Sequence, residues 1–209
     1  MYLTRMELDT SKKKCAMALN APGLFHGAIE SAFPERSRKL WRIDRLHGAV
    51  YLLLLSEEKP DLSAAAEQFG TEWGWQSRSY DGLLASIRTG ERRRFRLVAN
   101  PVITKSAGTG NRGTVMAHLT CAQQKKWLSD RAEKYGFSLK EGEFSVTQSE
   151  WVTFRKGKEQ GRPVSFKAAA FEGVLTVTDE ALFRETLCGG IGREKAYGCG
   201  LLTVLGPEA

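Results

Sequence analysis

The chain has 209 residues, 42% of them hydrophobic and 26% charged, which is ordinary globular usage and excludes wholesale disorder and collagen-like structure. Its longest unbroken apolar run, residues 49–55, is far short of the roughly 20 residues a membrane span needs. The first 20 residues carry Lys12, Lys13 and Lys14 but no apolar core of signal-peptide length, so a cytoplasmic protein that avoids membranes is expected.

Thirty-one Lys and Arg against 24 Asp and Glu leave a net charge of +7. That balance favours polyanionic partners, whose counterions are released when Lys and Arg replace them, although solubility alone also accounts for it. The four cysteines (Cys15, Cys121, Cys188, Cys199) form no CxxC pair and there are three histidines, so no thiolate zinc site and no metal or other cofactor is expected.

In chain order, Tyr2, Thr4, Met6 and Leu8 alternate with Leu3, Arg5 and Glu7 as in a strand. A helical stretch runs to Phe33 and is closed by Pro34. Residues 40–45 and 49–56 suit a hairpin turning at His47-Gly48, and residues 61–67 a short capped helix ending at Gly70. Residues 73–84 fit no pattern, and 95–100 return as a strand ended by Pro101. The glycine-rich stretch 105–113 has the composition of a linker or mobile loop. Thr120 then caps a helix with apolar positions Cys121, Leu128, Ala132 and Tyr135, stopped near Gly136. Residues 144–154 and 164–178 suit two long strands, with Phe171, Gly173, Leu175 and Val177 on one face. Asp179 caps a helix over 180–187 that stops at Gly189-Gly190, and residues 199–205 supply a last strand.

Strand, helix, two strands, helix and strand, read twice, is the ferredoxin-like order. The predicted fold class is therefore α+β: two tandem ferredoxin-like (βαββαβ) domains, residues 1–104 and 105–209, each an antiparallel sheet with helices on one face.

Common catalytic motifs fail. Lys195 stands where a dinucleotide-binding fingerprint starting at Gly190 needs glycine, and Val152 where a P-loop ending at Gly157-Lys158 needs one; HExxH and GxSxG do not occur. What remains is His26, at the edge of a helical stripe formed by Phe25, Ala28, Ile29, Ala32 and Phe33 and one turn before Glu30. Asn20 and Pro22 make a plausible start for that helix. A surface histidine without a role fits the same pattern. Basic runs occur at Arg36/Arg38/Lys39, Arg92/Arg93/Arg94/Arg96 and Arg155/Lys156/Lys158/Arg162, none offset by a neighbouring acidic run; together they suggest a nucleic-acid surface. Five glycines in residues 189–200, among them Gly190, Gly192, Gly198 and Gly200, allow a phosphate-cradling backbone or, equally, a structural turn between helix and strand.

The order Met1-Tyr2-Leu3, His26 with Phe33-Pro34, residues 95–101 (FRLVANP), residues 171–177 (FEGVLTV), then Gly190-Ile191-Gly192 with Lys195 and residues 198–202 (GCGLL) resembles the CasE family. These are endoribonucleases that process CRISPR precursor RNA and stay in the type I-E Cascade complex. The resemblance implies metal-independent cleavage at the base of the repeat stem-loop by the 2′-hydroxyl. It makes His26 the acid–base histidine and Lys156 or Lys158 a candidate for charge stabilisation. The expected partners are CRISPR repeat RNA, mature crRNA and the other Cascade subunits. The RNA contacts are assigned to Arg36, Arg38, Lys105, Arg112, Arg155, Lys156, Arg162 and Lys195. Some family members carry a tyrosine three residues before the histidine, where this chain has Gly23, so the second acid–base group is left unidentified. A non-catalytic RNA hairpin-binding subunit is the alternative, and it differs from the nuclease only at His26.

Overall fold

The alternation of residues 2–8 builds β1 (Tyr2–Leu8), which buries Thr4, Met6 and Leu8 on one face. This computed structural model describes residues 1–35, 37–106, 108, 113–156 and 161–207. The predicted first helix is two: α1 (Lys13–Asn20) and α2 (Gly23–Ser31), broken at Ala21-Pro22. Asn20 closes α1, its Nδ2 donating to the Ala16 carbonyl, and does not start α2. β2 (Leu40–Leu46) and β3 (Ala49–Ser56) form the expected hairpin, with His47 and Gly48 both at positive φ in the turn. α3 (Ser63–Phe69) leads directly into β4 (Gly70–Ser79), which covers much of the segment whose pattern was unreadable. The first sheet has the order β2-β3-β1-β4, all antiparallel. Phe25 and Ile29 of α2 pack on its helix-bearing face with Met6, Leu8, Trp41, Leu52 and Leu54.

After the short α4 (Asp81–Ser86), β5 (Arg92–Ala99) corrects one expectation. Read as the last strand of the first half, it instead lies inside the second sheet, between β10 (Pro163–Val177) and β11 (Leu202–Pro207). Sheet membership therefore changes between Ser79 and Arg92, ahead of residue 105. β6 (Val102–Lys105) and β7 (Thr114–Ala117) pair as a small separate hairpin on either side of the stretch expected as a linker or mobile loop, of which residues 107 and 109–112 lie outside the described residues. α5 (Cys121–Ala132) begins at Thr120 with a reciprocal capping box to Gln123. Its buried positions are Gln124, Trp127, Leu128 and Ala132, whereas Cys121 is exposed. The two-residue β8 (Phe137–Ser138) and β9 (Phe144–Arg155) both pair with β10. α6 (Glu180–Gly189) is capped by Asp179, whose Oδ1 accepts from the amides of Ala181 and Leu182, and ends at Gly190 with φ 69°. Strand β11 begins at Leu202, three residues later than expected, because Gly198 and Gly200 are in left-handed conformations.

The second sheet thus reads β11-β5-β10 followed by β8 and β9, the same ferredoxin-like order as the first. Its core of Phe95, Leu97, Phe137, Phe171, Phe183 and Leu187 also takes in Leu40, Leu55 and Tyr80. Leu40 and Leu55 come from the face of the first sheet opposite its own helices and Tyr80 follows β4, so this core spans both halves. Arg42, 2% exposed, fastens them further: it binds Asp44 and donates to the carbonyls of Arg96 and Leu201 and to Thr203 Oγ1. Among the described residues no helix is long and apolar enough to cross a membrane.

Candidate active site

His26 lies in the second turn of α2, where its amide donates to the Pro22 carbonyl at 3.1 Å. Phe25 and Ile29 turn inward and leave the imidazole on the rim, 39% exposed. Its Nδ1 is 4.0 Å from Glu30 Oε1, too long for a direct hydrogen bond. Glu30 is in turn 3.6 Å from the buried Lys39 ammonium, which covers the Phe33 ring and reaches the carbonyls of Glu35 and Ser37. Lys39, predicted as part of a basic run, is therefore turned inward.

The imidazole meets Tyr197 edge to face, ring centres 6.5 Å apart. Tyr197 sits on a 3₁₀ turn (Lys195–Tyr197) and packs against Phe154 at 5.0 Å and parallel to Phe166 at 6.0 Å. These phenylalanines belong to β9 and β10. One register step beyond Phe154, Arg155 faces Pro163, and the Lys156 amide donates to the Arg162 carbonyl, closing the base of the loop. Through Tyr197 the fold links His26, on α2, to Phe154, one residue short of the hairpin's end. Arg155, Lys156 and Arg162 are all exposed there. Lys158 lies outside the described residues, as do Arg36 and Arg112.

Five backbone amides of the glycine-rich segment are used within the fold. The amides of Gly190, Ile191, Tyr197, Cys199 and Gly200 donate to the carbonyls of Thr186, Gly200, Glu194, Glu194 and Val98. Lys195 Nζ is likewise engaged, 2.6 Å from the Gly189 carbonyl and 3.1 Å from that of Gly190. Burial, and then the nearby Arg38 charge, hold its pKa below the usual lysine value. The glycines serve close packing: a Cβ at Gly190 would lie 2.7 Å from the Gly200 carbonyl oxygen, and one at Gly198 3.2 Å from the Trp41 ring. Close packing accounts for Gly190 and Gly198 as parts of a structural turn, which Lys195 clamps.

The Arg92–Arg96 run, flanked in sequence by no acidic run, is opposed in space. Arg92 pairs with Glu143, the 1%-exposed Arg93 with Glu91, and Arg96 with Asp44 and Glu172. Arg38 is exposed and lines a hollow with Met1, Glu57 and Glu185. Lys105 is exposed at the end of β6, opposite Thr114. Among the described residues neither has a contact linking it to His26. Sequence reasoning missed Tyr197, whose only signal was an aromatic ring set among glycines. Among the described residues no group of three or more His, Cys, Asp or Glu is placed to hold a metal ion.

This duplicated ferredoxin-like architecture is shared with proteins of known activity. Residues 1–205 match the family of CRISPR associated proteins, and the chain belongs to that family. It is 32% identical to the CRISPR-associated endoribonuclease Cse3 of Thermus thermophilus, over 98% of this chain and 99% of that protein. The structure of Thermus thermophilus Cse3 bound to an RNA representing a pre-cleavage complex superimposes with a TM-score of 0.81 at 28% identity, covering 98% of each chain. A chain of a CRISPR RNA-guided surveillance complex, captured before nicking, superimposes with a TM-score of 0.72 at 25% identity, over 98% of this chain and 99% of that one.

Proposed function

We propose that this chain is an endoribonuclease that processes CRISPR precursor RNA, cutting at the base of the repeat stem-loop and remaining with the crRNA in the cytoplasmic Cascade complex. The observation that carries the reading is the partly exposed His26 imidazole in ring contact with Tyr197, which packs on Phe154 and Phe166 of the β9–β10 hairpin whose end presents Arg155, Lys156 and Arg162. Kinship with the Cse3 endoribonuclease over nearly the full length of both chains supports the same chemistry.

In this reaction the 2′-oxygen loses its proton and attacks the adjacent phosphorus. The bond from phosphorus to the 5′-oxygen breaks, and that oxygen takes up a proton, giving a 2′,3′-cyclic phosphate and a 5′-hydroxyl. No water and no redox partner enters the balance. His26 carries one of the two proton transfers. The arginines and lysines of the hairpin, Lys158 among them, neutralise charge on the phosphorane oxygens. The stem is read by shape through phosphate and 2′-hydroxyl contacts, to which Arg36, Arg38, Lys105 and Arg112 contribute. Lys195, tied to two carbonyls, acts by holding its loop.

Incubating the protein with labelled repeat RNA in excess chelator tests the reading. Products ending in cyclic phosphate and 5′-hydroxyl support it. Intact but bound RNA would reduce the protein to a hairpin-binding subunit.

A further inference from the structure

The missing side chain at position 23 leaves His26 without a neighbour from its own helix on that side, and the fold fills the gap from elsewhere. A Cβ built on Gly23 would stand 3.5 Å from Phe154 Cε2, so position 23 faces the ring on which Tyr197 packs. Tyr197 is the aromatic residue in ring contact with His26 among the described residues. Its own ring is held on two other sides, edge-on by Phe154 and in parallel by Phe166.

Its backbone is equally fixed. The turn carrying it is flanked by two left-handed residues, Glu194 (φ 58°) and Gly198 (φ 85°). The Tyr197 and Cys199 amides both donate to the Glu194 carbonyl, and Lys195 Nζ ties the turn back to the carbonyls of Gly189 and Gly190. A non-glycine residue at positive φ is a conformation that surrounding structure must impose. Lys195, half-buried and bonded to two carbonyls of its loop, does the imposing here.

We infer that Tyr197 is the positioning residue for His26: its ring, clamped by Phe154, Phe166 and the Lys195-locked turn, fixes the direction in which the imidazole meets the scissile nucleotide. The inference rests on the nuclease reading above. An edge-to-face pair at 6.5 Å lies within the range in which aromatic rings attract, and it limits the imidazole to the side away from Tyr197. Misplacing a catalytic group by about 1 Å lowers a rate on the order of 10- to 100-fold, so a fixed imidazole has kinetic consequences. The role belongs to the ring and not to its hydroxyl, and it acts through His26 without touching the RNA.

The test measures single-turnover cleavage of repeat RNA at saturating protein, with affinity measured separately on RNA carrying a 2′-deoxy at the scissile position. Tyr197→Leu keeps apolar volume against Phe154 and Phe166 but removes the planar ring. We expect it to cut at least 10-fold more slowly at saturation, with affinity changed less than threefold. Tyr197→Phe should restore most of the lost rate. Melting temperatures, recorded for both, identify any loss that comes from unfolding. A Tyr197→Leu protein cutting as fast as the parent would overturn the inference, and so would a Tyr197→Phe protein as slow as Tyr197→Leu, which would move the function to the hydroxyl. His26→Ala separates the two levels. If it abolishes cutting while Tyr197→Leu does not, the positioning role alone is wrong; if His26→Ala cuts normally, the nuclease reading of the site is wrong.

Discussion

Replacing Arg42 with methionine probes what joins the two sheets. All five N–H donors of this guanidinium are used: Nε and Nη2 hold both Asp44 oxygens at 2.8 Å, Nη1 reaches the Arg96 and Leu201 carbonyls at 2.9 Å, and Nη2 also reaches Thr203 Oγ1 at 2.9 Å. Methionine roughly fills the volume but leaves Asp44, 3% exposed, with Arg96 Nε at 3.0 Å as its remaining charged partner. Breaking a buried pair from one side costs about 3–5 kcal/mol, and the surviving Arg96 contact sets the expectation near the lower end, about 3 kcal/mol. For a chain of this size that corresponds to a fall in melting temperature of about 6–12 °C. Urea denaturation followed by tryptophan fluorescence should show the midpoint shift with an unchanged slope. Replacing Asp44 with asparagine in the same chain should recover part of the loss, since no unpaired buried charge then remains. A loss below about 1 kcal/mol for Arg42→Met would refute the reasoning, because the guanidinium would then contribute no more than a surface ion pair.

Gly173 sits at φ 153° where β10 passes the start of β9, and an added Cβ would run into the Glu143 carbonyl and the Phe144 backbone. Gly173→Ala should therefore cost roughly 2–4 kcal/mol in a denaturant titration, far more than an ordinary Gly-to-Ala exchange. The Arg93 guanidinium, hydrogen-bonded to Glu91, holds that carboxyl below the ordinary glutamate value of 4.5. The stability it contributes is complete above that value and disappears as pH falls through the lowered folded value. Glu91→Gln should accordingly flatten the acid limb of a melting-temperature profile below about pH 4.5 and leave the profile's shape above pH 6 unchanged. Reversing charge at Arg155 and Lys156 together should weaken repeat-RNA binding at least 10-fold and reduce the slope of log affinity against log salt by about 1–2. Unchanged affinity would remove the hairpin from the RNA surface.

Legibility in the sequence followed how local each cause was. The His47-Gly48 turn, the Thr120 and Asp179 caps and the Gly190 stop are set by residues within a few positions, and they stand where the residues indicated. β4 was unreadable because it is an edge strand, paired to β1 alone and mostly exposed, so burial imposes no alternation on it. β5 was legible as a strand but not as a member of the second sheet, since its partners lie about 70 to 110 residues downstream and strand order is not written in a strand's own pattern. The site divided in the same way. His26 stood out through helical spacing, whereas the acids that neutralise the Arg92–Arg96 run arrive from positions 44, 91, 143 and 172. Tyr197 gained its place through a contact across about 170 residues, which no local signal announces.

The central claim is that His26 moves a proton during RNA cleavage. Repeat stem-loop RNA, in chelator and with saturating protein, should be cut by the parent chain to cyclic-phosphate and 5′-hydroxyl ends. His26→Ala should bind the same RNA with similar affinity and cut it about 100-fold more slowly or worse, the usual loss for an acid–base group. Cutting by His26→Ala at the parent rate would contradict the account.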